Sequence, residues 1–207
     1  MAVLEVYEAI TGYNLASVAE IVRQELDKGT DVSAILNEGL IAAMDDVGSR
    51  FSEGELFVPE MLMAAKVMQA GLDVIKPRLL ETDIRAKGII VMGTVQGDLH
   101  DIGKNLVMMM LEGGGFEVID LGVDVEPRKF VAAAKEHGAQ VIALSALLTT
   151  TMPAMEGTVA TLKKEGLDVK IMVGGAPVTR NYANKIGADG YGEDAPGAVL
   201  LAREFVD

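Results

Sequence analysis

Apolar positions follow two different periods along this chain. From Leu15 to about Leu80 they recur every three or four residues, the spacing that places side chains on one face of a helix. One such stripe comprises Leu36, Leu40, Met44, Val47 and Phe51. Beyond Pro77 the helical period ends, so the two halves of the chain are predicted to fold differently.

The first half is predicted to form a small bundle of four helices over residues 1–80. A short helix is expected near residues 3–10. Pro59 suits the first turn of the final helix, which is predicted to run to about Ile75. The segment is rich in Ala, Leu and Met, and its connections are short, as expected for helices that pack on one another.

The second half alternates short β-rich runs with helical ones after a charged linker, residues 81–87. Strands are predicted at Gly88 to Thr94, Phe116 to Asp120, Val141 to Ser145, Val169 to Val173 and near Gly190. Helices are predicted at Ile102 to Leu111, Glu126 to His137, Pro153 to Lys164, Tyr182 to Ile186 and Pro196 to Phe205. This alternation indicates an α/β domain over residues 88–207, with a flavodoxin-like or Rossmann-like doubly wound parallel sheet.

Composition and charge narrow the classes of partner. The 207 residues, half of them hydrophobic, are enough for two small cores, and a net charge of −13 disfavours nucleic acid as a partner. No cysteine is present, so disulfides, thiolate zinc sites and iron–sulfur clusters are excluded. The longest apolar run, Leu106 to Leu111, is too short to span a bilayer, and no export signal is visible. We therefore expect no membrane partner and a cytoplasmic location.

Candidate chemistry lies in the loop after the first predicted strand, where doubly wound sheets bind their ligands. The loop contains Gly97, Asp98, Leu99, His100, Asp101, Ile102 and Gly103. It fits neither the dinucleotide-binding nor the phosphate-loop pattern. A neutral imidazole is a good metal ligand, and a carboxylate on its second nitrogen raises its donor strength. Asp98 or Asp101 could supply that carboxylate, and a merely solvated histidine between two acids is the competing interpretation.

A metal site made only of protein ligands is not expected around His100. Zinc needs several ligands, the chain has no cysteine, and the other histidine, His137, is predicted at the far end of a helix. A macrocyclic cofactor that brings its own in-plane nitrogens needs only an axial ligand from the protein. One histidine is sufficient for such a cofactor.

Three separated motifs resemble a known family. Asp98-x-His100-x-x-Gly103, then Ser145-x-Leu147 and then Gly174-Gly175, resemble the cobalamin-binding motif of corrinoid methyltransferase proteins, cobalamin-dependent methionine synthase and the corrinoid mutases. The longer string from Gly97 to Val107 favours the methyltransferase branch. The preceding helical half is similar to the cap domain of that branch, so the resemblance extends over essentially the whole chain.

The resemblance implies roles for individual residues around a cobalamin or related corrinoid. His100 would be the lower ligand of cobalt, Asp98 would hold its other ring nitrogen, and Thr151 stands where the third member of this relay is usually a serine. The loop residues Gly97 to Gly103 would surround the ligand. The slot for the nucleotide tail would be formed by Ser145, Ala146, Gly174, Gly175 and Ala176, and closed by Tyr191, Gly192 and Asp194. Leu147 and Thr149 would also contact the cofactor. Asp194 could equally cap the final helix.

The helical half would act as a lid in this family. Carried over by position within the segment from Arg50 to Glu60, the side chains over the transferred group would be Phe51 and Val58. Ordinary packing in the bundle core is the alternative for both. The linker would serve as the hinge that lets transfer partners reach the cofactor.

The implied function is that of a methyl carrier. A substrate-specific methyltransferase would place a methyl group on Co(I), and a corrinoid-to-acceptor methyltransferase would move it from methyl-Co(III) to tetrahydrofolate or a thiol. A reductive activator would rescue Co(II). The chain is expected to catalyse nothing alone, and its methyl donor is left open.

Three alternatives have weaker support in the sequence. A cobalamin-dependent sensor also joins a helical lid to this fold, but would normally carry a DNA-binding or signalling domain. The small subunit of a corrinoid isomerase generally lacks the helical cap. A phosphorylated receiver domain would have a lysine after the penultimate strand, where Gly174 and Gly175 stand.

Overall fold

The structure, a computed structural model, describes residues 3–79 and 86–207. It divides into two units, Met1–Arg85 with Glu112–Gly115, and Ala86–Leu111 with Phe116–Asp207. Of the predicted linker, residues 81–87, only Ala86 and Lys87 lie within the described residues.

Over residues 3–79 the first unit consists of helical stretches joined by short loops. They are α1 (Leu4–Thr11), α2 (Val18–Asp27), a continuous stretch made of α3 (Val32–Ala34), a π-helical segment (Ile35–Ile41) and α4 (Ala42–Ser52), and finally α5 (Val58–Leu79). The order and approximate positions agree with the predicted four-helix bundle.

The predicted apolar stripe forms part of the core of this unit. Leu36, Leu40, Met44 and Val47 are buried, whereas Phe51 is half-buried. A side chain at Gly71 of α5 would lie 2.8 Å from a methyl carbon of Leu40, so glycine lets this helix approach the π-helical segment closely. Four of the five positions therefore bury their side chains, as the helical period predicts.

The last helix of the unit runs further than predicted. Pro59 lies in its first turn as expected, but α5 continues past Ile75 to Leu79 and includes Pro77. Pro77 lacks an N–H for the helical ladder, and its ring crowds the carbonyl four residues earlier. The helix passes Pro77 nevertheless and ends two residues later, at Leu79.

Glu25, near the end of α2, is a buried carboxylate in this unit. Lys28 donates to one carboxylate oxygen and Thr30 to the other, each over 2.7 Å. The hydrogen bonds from Lys28 and Thr30 hold the pKa of Glu25 below its usual value against the effect of burial. These residues fasten the end of α2 to the turn that follows it.

The second unit contains a five-stranded parallel sheet, with strand order β2-β1-β3-β4-β5. Its strands are β1 (Ile89–Thr94), β2 (Glu117–Asp120), β3 (Val141–Ser145), β4 (Lys170–Gly174) and β5 (Gly190–Gly192). Its helices are α6 (Ile102–Gly113), α7 (Pro127–His137), α8 (Met152–Lys164), α9 (Arg180–Ile186) and α10 (Ala195–Val206). The predicted class, a helical bundle followed by a doubly wound parallel sheet, is confirmed.

The strand order places the His100 loop at the switch point of the sheet. β1 pairs with β2 on one side and with β3 on the other, and Thr94 lies opposite Ser145 at the carboxyl end of the latter pair. Because the winding direction reverses between β1 and β3, the loops after these two strands diverge and leave a crevice. The core includes the fully buried Phe130, Ile142 and Met155.

None of the helices in the described residues is both long and apolar enough to cross a membrane.

Candidate functional site

The His100 loop, residues 95–101, connects β1 to α6 and begins with a tight turn. The backbone N–H of Asp98 donates to the carbonyl of Val95 over 3.1 Å, and Gly97 has a φ of 84°, which glycine adopts readily. At the start of the loop, the N–H of Val95 donates to the carbonyl of Ser145 over 3.0 Å. The loop is thus fastened to the end of β3.

His100 and Asp98 contact each other directly. Nδ1 of His100 lies 2.8 Å from Oδ1 of Asp98, and the backbone N–H of His100 donates to the same oxygen over 3.1 Å. Because an ionised carboxylate only accepts hydrogen bonds, Nδ1 carries a proton, and in the neutral imidazole Nε2 therefore keeps its lone pair. The side chain of His100 is half exposed while that of Asp98 is fully buried. Asp98 thus holds an imidazole whose other nitrogen is available to a metal.

The second oxygen of Asp98 is held from the loop after β3. Oδ2 accepts hydrogen bonds from Oγ1 of Thr151 at 2.7 Å, from the N–H of Leu147 at 2.8 Å and from the N–H of Leu148 at 3.3 Å. Burial alone would favour the neutral acid, but these donors together with His100 outweigh it and hold the pKa of Asp98 well below its usual range. Asp98 is therefore an anion at neutral pH.

Thr151 completes a chain of contacts from the β3 loop to His100. It precedes α8, is itself buried, and its hydroxyl lies 2.7 Å from Asp98 and 2.9 Å from the carbonyl of Leu148. The single hydroxyl hydrogen has two acceptors within reach. The structure thus brings together His100, Asp98 and Thr151, although Thr151 is separated from Asp98 by 53 positions.

Asp101 makes a different contact. Its carboxylate accepts from the side-chain amide of Asn105 over 3.2 Å, and its carbonyl accepts the backbone N–H of Asn105 over 2.7 Å. Of the two carboxylates that flank His100, Asp98 is the one that holds the imidazole. Gly103 lies in the first turn of α6 with open space where a side chain would start.

Exposed apolar side chains follow both β1 and β3. Leu99 and Ile102 are 72% and 79% exposed, and Leu147 and Leu148 are about 40% exposed. β1 and β3 are neighbours in the sheet, so these side chains lie at the same carboxyl edge as His100. Apolar groups left in water at a crevice are typical of a site that binds a largely apolar ligand.

The predicted tail slot lies after β3 and β4. Ser145 ends β3, Gly174 ends β4, and Gly175 and Ala176 follow on the surface. Gly175 has a φ of 125°, and a side chain there would collide with the backbone oxygen of Ala146. Only glycine allows the two backbones to approach in this way. Thr149 is exposed in the loop after β3.

Residues of the last strand and helix show ordinary structural contacts as well. The carboxylate of Asp194 accepts from the N–H of Gly197 over 2.7 Å and caps α10. The guanidinium carbon of Arg180 lies 5.9 Å from the ring centre of Tyr191 in β5. A side chain at Gly192 would contact Ala198 at 3.2 Å, so this glycine also serves the packing of α10.

In the helical unit, the segment with Phe51 and Val58 exposes a further aromatic ring, that of Phe57. Phe57 is 66% exposed, more than Val58. Its backbone N–H donates to the carboxylate of Glu60 over 2.8 Å, which fixes the start of α5. The sequence could have indicated Phe57, because it is an apolar residue directly before the start of a predicted helix.

Comparisons with known proteins agree with these motifs. The family described as "B12 binding domain" matches residues 88–200, and a second family of the same description matches residues 4–76. The chain belongs to the B12-binding proteins.

Relatives in this family are similar over most of the chain. Dimethylamine corrinoid protein 1 of Methanosarcina acetivorans is 49% identical over 179 residues, covering 85% of this chain and 84% of that protein. Trimethylamine corrinoid protein 1 of the same organism is 44% identical over 200 residues, covering 95% and 93%. The methanol:cobalamin methyltransferase complex MtaBC from Methanosarcina barkeri has a TM-score of 0.88 at 29% identity, covering 99% of this chain and 79% of that chain. The resemblance to corrinoid proteins of methyltransferase systems and the cobalamin-type cofactor are confirmed.

The residues of this B12-binding chain fit a corrinoid. Nε2 of His100 offers one nitrogen ligand, which suits a metal that is already bound in a macrocycle. Among residues 3–79 and 86–207, no three His, Asp or Glu side chains cluster so as to hold a metal ion by themselves. Exposed apolar side chains beside His100 and close-lying glycine backbone at Gly175 suit a large, mostly apolar ligand.

Several residues around His100 were not predicted from the sequence. They are Thr94, Lys104, Asp120, Asp124 and Leu148. Lys104 is an example: its side chain is buried, and its Nζ donates to Asp120 at the end of β2 over 2.7 Å. Its position next to Gly103 was visible in the sequence, but its partner comes from a neighbouring strand that only the fold reveals.

Proposed function

We propose that this protein is a corrinoid methyl carrier in which His100 is the lower ligand of cobalt and Asp98 orients it. The observation that carries the proposal is the 2.8 Å contact between Nδ1 of His100 and Asp98, which leaves Nε2 of a half-exposed imidazole as the free donor. When bound, the cofactor supplies a cobalt atom that accepts a methyl group and gives it up again.

The chain's own residues would control the imidazole. Asp98 stays ionised because it accepts hydrogen bonds from Thr151 and from two backbone N–H groups. A fixed negative charge at Nδ1 makes the imidazole a stronger ligand and sets its tautomer and orientation. The hydrogen bonds that Asp98 accepts from the β3 loop reduce the negative charge that its other oxygen presents to His100. Thr151 would therefore tune how readily His100 binds and releases the metal.

The remaining predicted residues would contact the rest of the cofactor. Leu99, Ile102 and Leu147 would cover its apolar face, which explains their exposure. The tail slot would be formed by Ser145, Ala146, Gly174, Gly175 and Ala176 with Tyr191, Gly192 and Asp194, and Thr149 would also contact the cofactor. Shielding of the transferred group by Phe51 and Val58 stays a prediction from the resemblance.

Methylamines are the proposed source of the methyl group, because two proteins similar to this chain are dimethylamine and trimethylamine corrinoid proteins. A substrate-specific methyltransferase would then be one partner. A corrinoid-to-acceptor methyltransferase and a reductive activator would be the others, and we expect all of them in the cytoplasm.

The ligand role is tested by loading the protein with hydroxocobalamin and recording its absorption spectrum. We expect the wild type to bind and to show the spectrum of nitrogen-ligated cobalt, and His100→Ala to lose that signature. His137→Ala is the matched control because His137 is exposed at the end of α7. No binding by the wild type, or an unchanged spectrum in His100→Ala, would refute the proposal.

The carrier role is tested separately. The reduced, cobalamin-loaded protein is mixed with isotopically labelled dimethylamine or trimethylamine and the methyltransferase specific for that amine. Label should appear on the protein-bound cofactor and then pass to a thiol acceptor when the second methyltransferase is added. Retention of all label by the amine with both enzymes would contradict a methylamine carrier.

A further inference from the structure

The segment after β2, residues 121–126, runs beside the His100 loop, residues 95–101. The N–H of Thr94 donates to the carbonyl of Gly122, and the N–H of Val125 donates to the carbonyl of Thr94, each over 3.0 Å. Val95 and Val125 form an isolated parallel bridge. The pairing of β1 with β2 therefore continues past the ends of the strands, as far as the loop that carries His100.

Within this segment, Asp124 makes two hydrogen bonds to the His100 loop, one before the Cα of Asp98 and one after it. Its carboxylate accepts the N–H of Gly97 over 2.7 Å, and its own N–H donates to the carbonyl of Asp98 over 2.9 Å. The first of these is a hydrogen bond to a charged group, which is stronger than one between neutral groups. Asp124 thus holds the peptide group before Gly97 and the one after Asp98, which lie on either side of the short stretch that carries the Asp98 side chain.

The backbone of Asp124 is itself unusual. Its φ of 52° lies in the left-handed region, which residues other than glycine seldom adopt. Such a conformation persists only where neighbouring contacts hold it. Here it directs both the N–H and the carboxylate of one residue to the same loop.

Residues from the β2 side of the sheet and from β1 also hold the end of the His100 loop that leads into α6. The buried Nζ of Lys104, in the first turn of α6, donates to Asp120 and to Asn105, each over 2.7 Å. The hydroxyl of Thr94 donates to the carbonyl of His100 over 2.9 Å. At the beginning of the loop, Asp124 adds its two contacts to the hydrogen bond from Val95 to Ser145.

We propose that Asp124 is a positioning residue for His100: by holding Gly97 and Asp98, it keeps Nε2 aimed where cobalt binds. The proposal rests on the proposed function, since it takes His100 as the ligand. Without the Asp124 carboxylate, the turn at Gly97 moves more freely, and fewer molecules have His100 bound to the metal at any moment.

Two substitutions separate the carboxylate from the backbone conformation. Asp124→Gly deletes the acceptor, and glycine adopts a φ of 52° without a steric cost. Asp124→Asn keeps an oxygen acceptor, and asparagine tolerates the left-handed region. Glu126→Ala is the control, because it removes an exposed carboxylate of the same segment that makes no side-chain cap to α7.

The first measurement uses the ligand-free protein. Amide hydrogen exchange of residues 95–103 should be about tenfold faster in Asp124→Gly than in the wild type, because the loop opens more often. Asp124→Asn should restore slow exchange, and Glu126→Ala should match the wild type. Circular dichroism checks the folding of each variant before the exchange rates are compared.

The second measurement uses the protein loaded with hydroxocobalamin. The ratio of His100-bound to His100-free cobalt, read from the absorption spectrum, should fall about tenfold in Asp124→Gly and return to near the wild-type value in Asp124→Asn.

The outcomes distinguish the two proposals. If His100→Ala changes the spectrum as expected but Asp124→Gly leaves the ratio at the wild-type value, the positioning role is wrong and the proposed function stands. This holds even if exchange becomes faster, since Asp124 would then be structural only. If His100→Ala leaves the spectrum unchanged, the proposed function itself fails.

Discussion

Among the residues that the structure describes, each unit holds one buried carboxylate, and the two are held in different ways. Glu25 accepts hydrogen bonds from Lys28 and Thr30, which lie three and five positions further along the chain. Asp98 accepts from its near neighbour His100 and also from Leu147 and Thr151, which lie 49 and 53 positions away. The first arrangement fastens a helix end, and the second joins two loops at the sheet switch point.

The difference shows what makes a buried carboxylate useful at a site. The charge of Glu25 is met by the ammonium group of Lys28, whose side chain is 60% exposed. The donors to Asp98 from the β3 loop are uncharged, so its negative charge remains available to the imidazole of His100. Replacing the two carboxylates should therefore have effects of different size and kind.

The largest effect is expected for Asp98→Ala. At the buried position of Asp98, the N–H groups of Leu147 and Leu148 would lose their acceptor and the hydroxyl of Thr151 would keep only the carbonyl of Leu148. The free energy of unfolding should therefore fall by about 3 kcal/mol. Urea denaturation of the ligand-free protein measures it. Asp101→Ala removes an exposed carboxylate of the same loop and should change stability by less than about 0.5 kcal/mol. Equal losses of stability in the two variants would show that Asp98 contributes no more to stability than Asp101.

A smaller loss of stability is expected for Thr151→Val, which keeps the shape of the side chain but deletes the hydroxyl. Asp98 would lose one of its donors, at a cost of about 1.5 kcal/mol by the same measurement. Thr151→Ser retains the hydroxyl and should stay close to the wild type. If serine and valine behaved alike, the contact between Thr151 and Asp98 would contribute little.

Glu25→Ala should cost about 1 kcal/mol, less than either change at the site. Lys28 is already largely in water, so its side chain is rehydrated with little loss. Glu20→Ala, on the exposed face of α2, serves as the control in the same urea experiment. A loss as large as that of Asp98→Ala would show that the two carboxylates are equivalent for stability.

The smallest effect is the pH dependence that Glu25 contributes. Its pKa is lower in the folded protein, so the unfolded chain binds the proton more readily. The stabilisation is complete above the ordinary glutamate pKa of 4.5 and is lost as the pH falls through the lowered value in the folded protein. Urea denaturation at several pH values should therefore show the gap between wild type and Glu25→Gln narrowing in acid. If the stability difference between the two proteins widened in acid, the pKa of Glu25 would have to be raised in the folded protein and not lowered.

Local sequence patterns determined the elements and their order. The change from a helical period to alternating strands and helices appears in residues that are near neighbours, because each helix or strand buries a face set by its own spacing. The β3 bounds, Val141 to Ser145, were predicted as observed. The end of α5 was not predicted correctly, because the sequence does not reveal whether a helix stops before Pro77 or continues for one more turn.

The candidate site was only partly determined in this way. The sequence alone pointed to His100, because its loop follows the first strand of a doubly wound domain and carries a motif. The residues by themselves left open whether Asp98 or Asp101 holds the imidazole, and the family resemblance implied Asp98. Whether Thr151 reaches it stayed open, and nothing in the sequence pointed to Asp124. These contacts depend on β1 lying between β2 and β3, which brings together three loops that are distant in the chain. Hydrogen bonds of this kind form across the sheet edge, so only the tertiary structure could decide them.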